Sequence, residues 1–393
     1  MQNGHGAFAA AVSALFAAAA LFLATPGASA DGVPTPAIPW APESYTCYRA
    51  LGPISIDGVI GEAAWERAQW TAPFVDIEGS AKPAPRFVTR AKMLWDSTFF
   101  YVAAEMEEPD VWATLTDRDA VIFHDNDFEV FIDPDGDTHE YYELEVNALG
   151  TEWDLLLLKP YRDGGPAVDS WDIQGLETAV AVDGTLNDPS DVDVGWSIEI
   201  AIPWAVLEEC AHRSAPPRPG DRWRVNFSRV EWATEVRDGR YVKLTDPDTG
   251  RQLPEDNWVW SPQGLINMHY PEMWGFVEFS RDVPGAGEAA SAVAQGAGAA
   301  APPVIQGAGE AELGVTDTEV AAWALRLLYY AERAWFDRYG RYSVDSTELG
   351  LTEPPGGGHS WPPEIHVTPG LFEASVETAG GRTVRIRQDG RVW

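Results

Sequence analysis

Asp125-Asn126-Asp127-Phe128-Glu129-Val130-Phe131-Ile132-Asp133 is followed, after a short acidic turn, by Tyr141-Tyr142-Glu143-Leu144-Glu145-Val146-Asn147. Both runs alternate with the period of a strand, whose successive side chains point to opposite faces. One face takes Phe128, Val130, Ile132, Leu144 and Val146; the other takes Asp127, Glu129, Glu143, Glu145 and Asn147. If the two strands pair, the carboxylates line one sheet surface. The same alternation recurs in Trp196-Ser197-Ile198-Glu199-Ile200-Ala201-Ile202 and in Trp223 to Ser228, with Asp, Gly and Pro turns between the runs. One short helix is expected around Pro203 to Cys210, with Pro203 in its first turn. Many strands with little helix predict a mainly β domain, an antiparallel jelly-roll-like β-sandwich over residues 45–282.

The flanks read differently. Ala7 to Ala24 is almost wholly apolar, Pro26-Gly27 breaks it, and Ala28-Ser29-Ala30 offers a cleavage site before Asp31, so residues 1–30 are expected to be an export signal. Residues 31–44 are a Pro-rich lead-in, and 283–312, made of Ala, Gly and Pro, read as a linker. In 313–393, Thr316 and Glu319 form a capping box ahead of Val320, Ala324, Leu327, Ala331 and Trp335, which predicts an amphipathic helix ending at Gly340. Short β runs follow, so this end is expected to be a small α+β unit.

The chain has 393 residues and a net charge of −34, which repels nucleic acid phosphates and anionic lipid heads, and no later stretch is apolar enough to insert into a membrane. Localisation is therefore expected to be periplasmic, cell-surface or secreted. Cys47 and Cys210 could pair in an exported protein or stay as two free thiols; both readings stand. No Ser-nucleophile elbow, zincin helix, P-loop or dinucleotide fingerprint is present.

With 18 Trp, the chain is rich in flat platforms for sugar rings. Carboxylates for hydroxyls, flanked by Trp112, Phe123, Trp232, Trp258 and Trp260, are the combination a saccharide needs. Taken alone, the same face also reads as the solvated side of a sandwich. Glu129 and Glu145 could instead serve as the acid and base of a glycoside-active enzyme. Asp133-Pro134-Asp135-Gly136-Asp137, and Asp188 to Asp193, could hold a hard cation or be solvated acidic turns.

An ordered set of motifs adds to this reading: Ile54-Ser55-Ile56-Asp57-Gly58 with Glu62 and Trp65, Lys92 to Asp96 with Phe99-Phe100-Tyr101-Val102, Asp127 to Asp133, Gly195 to Trp204, Trp223 to Phe227, and Trp274-Gly275. In this order the set resembles the family 9 carbohydrate-binding modules and related DOMON-like folds. The resemblance implies a secreted, non-catalytic saccharide-binding domain, often with structural Ca²⁺, for which Asp133, Asp135 and Asp137 are the candidate ligands. It implies a sugar clamped between two aromatic rings: Phe123 stands at the first, and Asn257 with Trp258 and Trp260 at the second. Glu129 matches a polar contact, and Asp127 and Asn226 complete the expected face. Glu145 stands where the family has Arg, so the family's sugar specificity does not carry over, and a scaffold that has lost its ligand is the remaining alternative. The C-terminal unit resembles the globular part of type IV pilin-like proteins, which implies protein docking through residues 313–393.

Overall fold

The alternating runs form strands. β1 (Ser44–Arg49), β2 (Val75–Asp76), β3 (Thr89–Trp95), β4 (Phe99–Glu107), β5 (Asp127–Asp133), β6 (Tyr141–Asn147), β7 (Glu152–Leu157), β8 (Ala167–Val168), β9 (Glu177–Asp183) and β10 (Gly195–Pro203) lead to a short helix, α1 (Trp204–Leu207). β11 (Arg222–Glu231), the hairpin of β12 (Thr234–Arg237) and β13 (Arg240–Lys243), β14 (Asp256–Val259) and β15 (Gly275–Ser280) follow. This computed structural model describes residues 33–281 and 314–393; the expected export signal and linker lie outside the described residues. Among the described residues no helix is long and apolar enough to cross a membrane. Cys47 and Cys210 are free thiols.

Thirteen strands share one sheet in the order β8-β7-β6-β5-β11-β15-β1-β3-β4-β10-β9, with β14 on β11 and β2 on β14. The sheet curls so that β3, β4 and β10 face β5, β6 and β11 across the main core. It departs from the expected antiparallel pattern at one place, because β1 runs parallel to both β15 and β3. No hairpin joins β1 to either neighbour, so no tight turn dictates its direction. Edge-to-face ring pairs fill one end of the core: Trp204 on Trp223 at 5.5 Å, and Trp95 on Phe279 at 5.9 Å.

Glu199 explains the first motif. It is fully buried on β10, and its carboxylate accepts the backbone N–H of Asp57 (3.1 Å) and Gly58 (3.0 Å) and the indole N–H of Trp65 (2.7 Å). Gly58 has φ +85°, and a Cβ there would come within 2.6 Å of the backbone of Val180 and Ala181. The Asp-Gly pair and the Trp thus belong to one latch that ties the entry loop to β10 and β9.

In the C-terminal unit, α2 (Asp317–Tyr339) begins at the expected capping box, with Thr316 and Glu319 each bonded to the other's backbone, and ends at Gly340 with φ +67°. It packs on a small sheet of β16 (Glu364–Val367), β17 (Phe372–Glu377) and β18 (Thr383–Arg387). This unit shares its core with the sandwich side: Tyr270, Met273 and Val33 pack among Leu325, Leu328, Tyr329 and Tyr330. Trp40 of the lead-in stacks on Trp323 at 5.3 Å and donates its indole N–H to the Glu272 carbonyl at 2.9 Å. Glu272 is the polar centre of the junction. It pairs with Arg162 (2.8 Å), lies 3.7 Å from Arg326, and accepts the Tyr330 hydroxyl.

Two outcomes follow from these contacts. Glu199→Ala leaves three donors without their acceptor, the buried Gly58 N–H and Trp65 indole and the partly buried Asp57 N–H, and is expected to cost roughly 3 kcal/mol, read from the denaturant midpoint, with Glu199→Gln costing less. Burial alone would raise the Glu272 pKa, but Arg162 and Arg326 outweigh it and hold it at about 2. Its contribution is therefore complete above the ordinary value of 4.5 and is lost as the pH falls toward about 2. Protection of the α2 amides, measured as exchange relative to the unfolded-chain rate at each pH, is expected to fall across that window. Glu272→Gln is expected to flatten the acid dependence and to cost about 3 kcal/mol by stranding buried guanidinium groups.

Candidate functional site

β5 and β6 pair in the expected register, Glu129 opposite Glu145, Asp127 opposite Asn147, and Phe131 opposite Glu143. Phe128, Val130, Ile132, Leu144 and Val146 enter the main core. The carboxylate face is not solvated. Asp127, Glu129, Glu143 and Glu145 are 0%, 5%, 5% and 2% exposed, so this side of the sheet is covered as well. A second apolar cluster of Phe131, Tyr141, Leu155, Val259, Met268 and Trp274 closes the end of the face.

One carboxylate oxygen each from Asp127, Glu129 and Glu145 lie within 4.8 Å of one another. Asp127 Oδ1 accepts the Val230 N–H at 3.3 Å, and Glu145 Oε2 accepts the Phe123 N–H at 3.0 Å. Asp127 Oδ2, Glu143 Oε2 and the Ser228 hydroxyl are buried without a hydrogen-bond partner of good geometry. Ser228 sits directly opposite Glu129 in the β11–β5 pairing. Burial first, and the neighbouring carboxylates after it, push Asp127, Glu143 and Glu145 well above the ordinary carboxyl range, and burial takes Glu129 up to about 7.

The rim is aromatic and partly open. Phe123 is half-buried in a tight turn, Ile122–His124, with its ring 6.4 Å from that of Trp153, and Trp153 stands opposite Glu145. Tyr161, 47% exposed, is close enough to Glu143 and Glu145 for their charge to add to the effect of burial in raising its phenol. Trp232 donates its indole N–H to the Phe123 carbonyl at 2.8 Å, which steadies the turn, and Trp112 is 5% exposed beside it. Lys243 lies over the Trp232 ring, 3.4 Å from its centroid. Burial lowers the Lys243 pKa to about 8 against the pull of Asp125, Glu255 and Asp127.

Phe123, Asp127, Glu129 and Glu145 thus come together, and half-buried Asn257 joins them from β14, where it pairs with Val230. Three expected contacts do not. Trp258 and Trp260 are 2% and 3% exposed and point into the main core. Trp260 packs on Phe227 and Tyr45, and its ring edge lies over Gly275, where a Cβ would come within 2.5 Å. That contact accounts for the glycine of the Trp274-Gly275 motif. Asn226 is buried and exchanges two 2.9 Å hydrogen bonds with the backbone of Ser261, which fixes the chain beyond β14 and leaves no amide for a ligand. Strand alternation causes the shift: Asn257 and Val259 take the carboxylate side, so Trp258 and Trp260 must take the core. The residues that replace them, Trp153, Tyr161 and Ser228, were not singled out from the sequence, although Trp153 and Ser228 stand in register with Glu145 and Glu129.

The acidic turn after β5 is self-contained. Asp133 accepts the N–H groups of Gly136 and Thr138 at 2.9 Å each, and Asp137 accepts the His139 N–H at 2.7 Å and Arg391 Nε at 2.6 Å. Asp135 receives only a long 3.4 Å bond from the Asp137 N–H. The three carboxylates are close enough to share an ion. Asp133 and Asp137 nevertheless already have partners, and the Arg391 guanidinium takes the cation's place beside Asp137, so the expected Ca²⁺ fits this turn poorly. Asp188 is exposed, and Asp193 accepts the N–H groups of Val111 and Thr185.

Residues 56–215 match the family model described as carbohydrate family 9 binding domain-like, and the resemblance read from the motifs holds over that segment. A carbohydrate binding module family 9 from Caldicellulosiruptor kristjanssonii, solved with cellotriose, is 16% identical; the match covers 62% of this chain and 97% of that one, with a TM-score of 0.40. The glucose complex from the same organism gives 16%, 61%, 97% and 0.39. A provisionally described carbohydrate-binding protein from Bacteroides uniformis gives 16%, 61%, 100% and 0.45. No curated protein matches the chain.

The crowding of like charges has a measurable consequence. Glu145→Gln removes one buried carboxyl yet keeps an acceptor for the Phe123 N–H, so in metal-free buffer at neutral pH it is expected to raise stability by about 1–2 kcal/mol. An unchanged or lowered denaturant midpoint would show that the face is not under electrostatic strain.

Proposed function

We propose that the sandwich binds a saccharide without catalysis, against the partly exposed rim of the carboxylate face. The observation that carries this reading is the family match over residues 56–215, which includes β5, β6 and β7, the strands that build the face. Phe123, Trp153 and Tyr161 supply ring planes for the apolar C–H side of a sugar, half-buried Asn257 and the Tyr161 hydroxyl supply groups for its hydroxyls, and the buried Glu129 and Glu143 set the negative field beneath them. Export belongs to the same reading, supported by the Ala28-Ser29-Ala30 cleavage site.

A glycan array followed by calorimetry on the full chain tests it. Phe123→Ala and Trp153→Ala are each expected to weaken the bound glycan about tenfold by removing a ring platform. Trp260→Ala is expected to cost about 3–5 kcal/mol of stability and to leave the affinity of the folded protein unchanged. Absence of binding to plant, microbial and marine glycans alike would overturn the proposal.

A further inference from the structure

Four groups of three carboxylates among the described residues lie close enough together to share an ion. In three of them at least one carboxylate is held from within the chain, although Glu62 Oε2 is buried without a partner. Asp119, Asp154 and Asp172 surround Arg118, whose nitrogens lie 3.6, 2.6 and 3.4 Å from them. In the group of Asp57, Glu62 and Glu199, the buried Glu199 is bonded to two backbone N–H groups and to Trp65. Asp137 of the turn group is paired with Arg391.

The fourth group, Asp127, Glu129 and Glu145, is the one in which all three carboxylates are buried. Among the described residues no lysine, arginine or histidine lies within ion-pair distance of any of the three, and Lys243 is turned onto the Trp232 ring. It is also the most deeply buried of the four, so water cannot screen the charges. The Ser228 hydroxyl is fully buried opposite Glu129 on the same face, without a bond of good geometry yet close enough to oppose the rise of the Glu129 pKa. Asp127 Oδ2 is likewise buried and unpartnered.

We propose that Asp127, Glu129, Glu145 and Ser228 form a binding site for a single divalent cation, Ca²⁺. The donors are all oxygen, which suits a hard cation and disfavours zinc or copper. Clustered carboxylates with a hydroxyl suit the flexible all-oxygen coordination of Ca²⁺ better than the strict octahedron and tightly held waters of Mg²⁺. Glu143, 5% exposed and with its Oε2 unpartnered, lies beside the site as a further oxygen donor. The ion would sit beneath the aromatic rim rather than in the turn after β5. This site does not depend on the saccharide reading, since its donors are present whether or not a sugar lies above them.

Calorimetric titration of the chelator-treated full chain with CaCl₂, at constant ionic strength to separate binding from general screening, tests the site directly. One ion per chain is expected. The melting temperature is expected to rise by roughly 5 °C at a hundredfold excess over the Kd, with a far smaller response to Mg²⁺. The near-isosteric variants Asp127→Asn and Glu145→Gln should lose both the heat and the shift while keeping the native near-UV spectrum, whereas Asp135→Asn should keep both. Binding lost in Asp135→Asn but retained in Asp127→Asn and Glu145→Gln would place the ion in the turn and overturn the proposal. The absence of heat and shift in the wild-type chain would overturn it too, as would binding that survives in all three variants. Saccharide affinity, measured separately on the same samples, tells failure of this site from failure of the proposed function.

Discussion

Side-chain alternation in β5 and β6 sets the constraint on which the rest of the molecule turns. The apolar half of each strand must enter the main core, so the acidic half is forced together on the opposite face. In an ordinary sandwich that face would meet water. Here the turn at Phe123, the strand bearing Trp153 and the cluster around Trp274 cover it, and the carboxylates are buried too. Two ionised carboxylates about 5 Å apart repel by roughly 3 kcal/mol at an effective dielectric near 20. Several such pairs are comparable to the net stability of a domain. The face must therefore hold protons or a cation, and the raised pKa values and unpartnered oxygens are two signs of the same demand.

Much of the fold was legible because it depends on local pattern. Period-two runs located β5, β6, β10 and β11, and the Thr316–Glu319 pair located the start of α2. The entry motif was legible as a signature but not as a mechanism. Only the structure shows that Asp57, Gly58 and Trp65 converge on Glu199, more than a hundred residues away. The candidate site was legible along β5 and β6 and illegible across β14. Which side of a strand faces the core depends on its pairing, and the resemblance alone could not show that Asn257, rather than Trp258 or Trp260, turns toward the carboxylates.

The joint packing of the lead-in and the C-terminal unit was not legible for a related reason, since the partners of their apolar residues lie outside their own segments. Together with Tyr270 and Met273 they complete a second core, and neither Trp40 nor Trp323 has a comparable stacking partner within its own segment. Burying Glu272 there is tolerable because two guanidinium groups and a phenol come with it. The same docking brings Arg391 onto Asp137, so the turn that looked like a metal loop is held by a cation the chain supplies itself.

Glu145 links these observations to function. The resemblance places an arginine at that position, and an arginine opposite Glu129 would neutralise it across the strand pair. A glutamate changes the local charge by two units without disturbing the strand, because Phe128, Val130, Leu144 and Val146 on the other face still specify the pairing. The fold is thus insensitive to the exchange, and the site is not. A face that could balance its own charge becomes one whose charge is relieved by protons or by a cation. The same exchange removes the guanidinium donors from the site and leaves acceptors in their place, so any sugar at the rim must be held through its own hydroxyl hydrogens, through the aromatic rings, or through a bound ion.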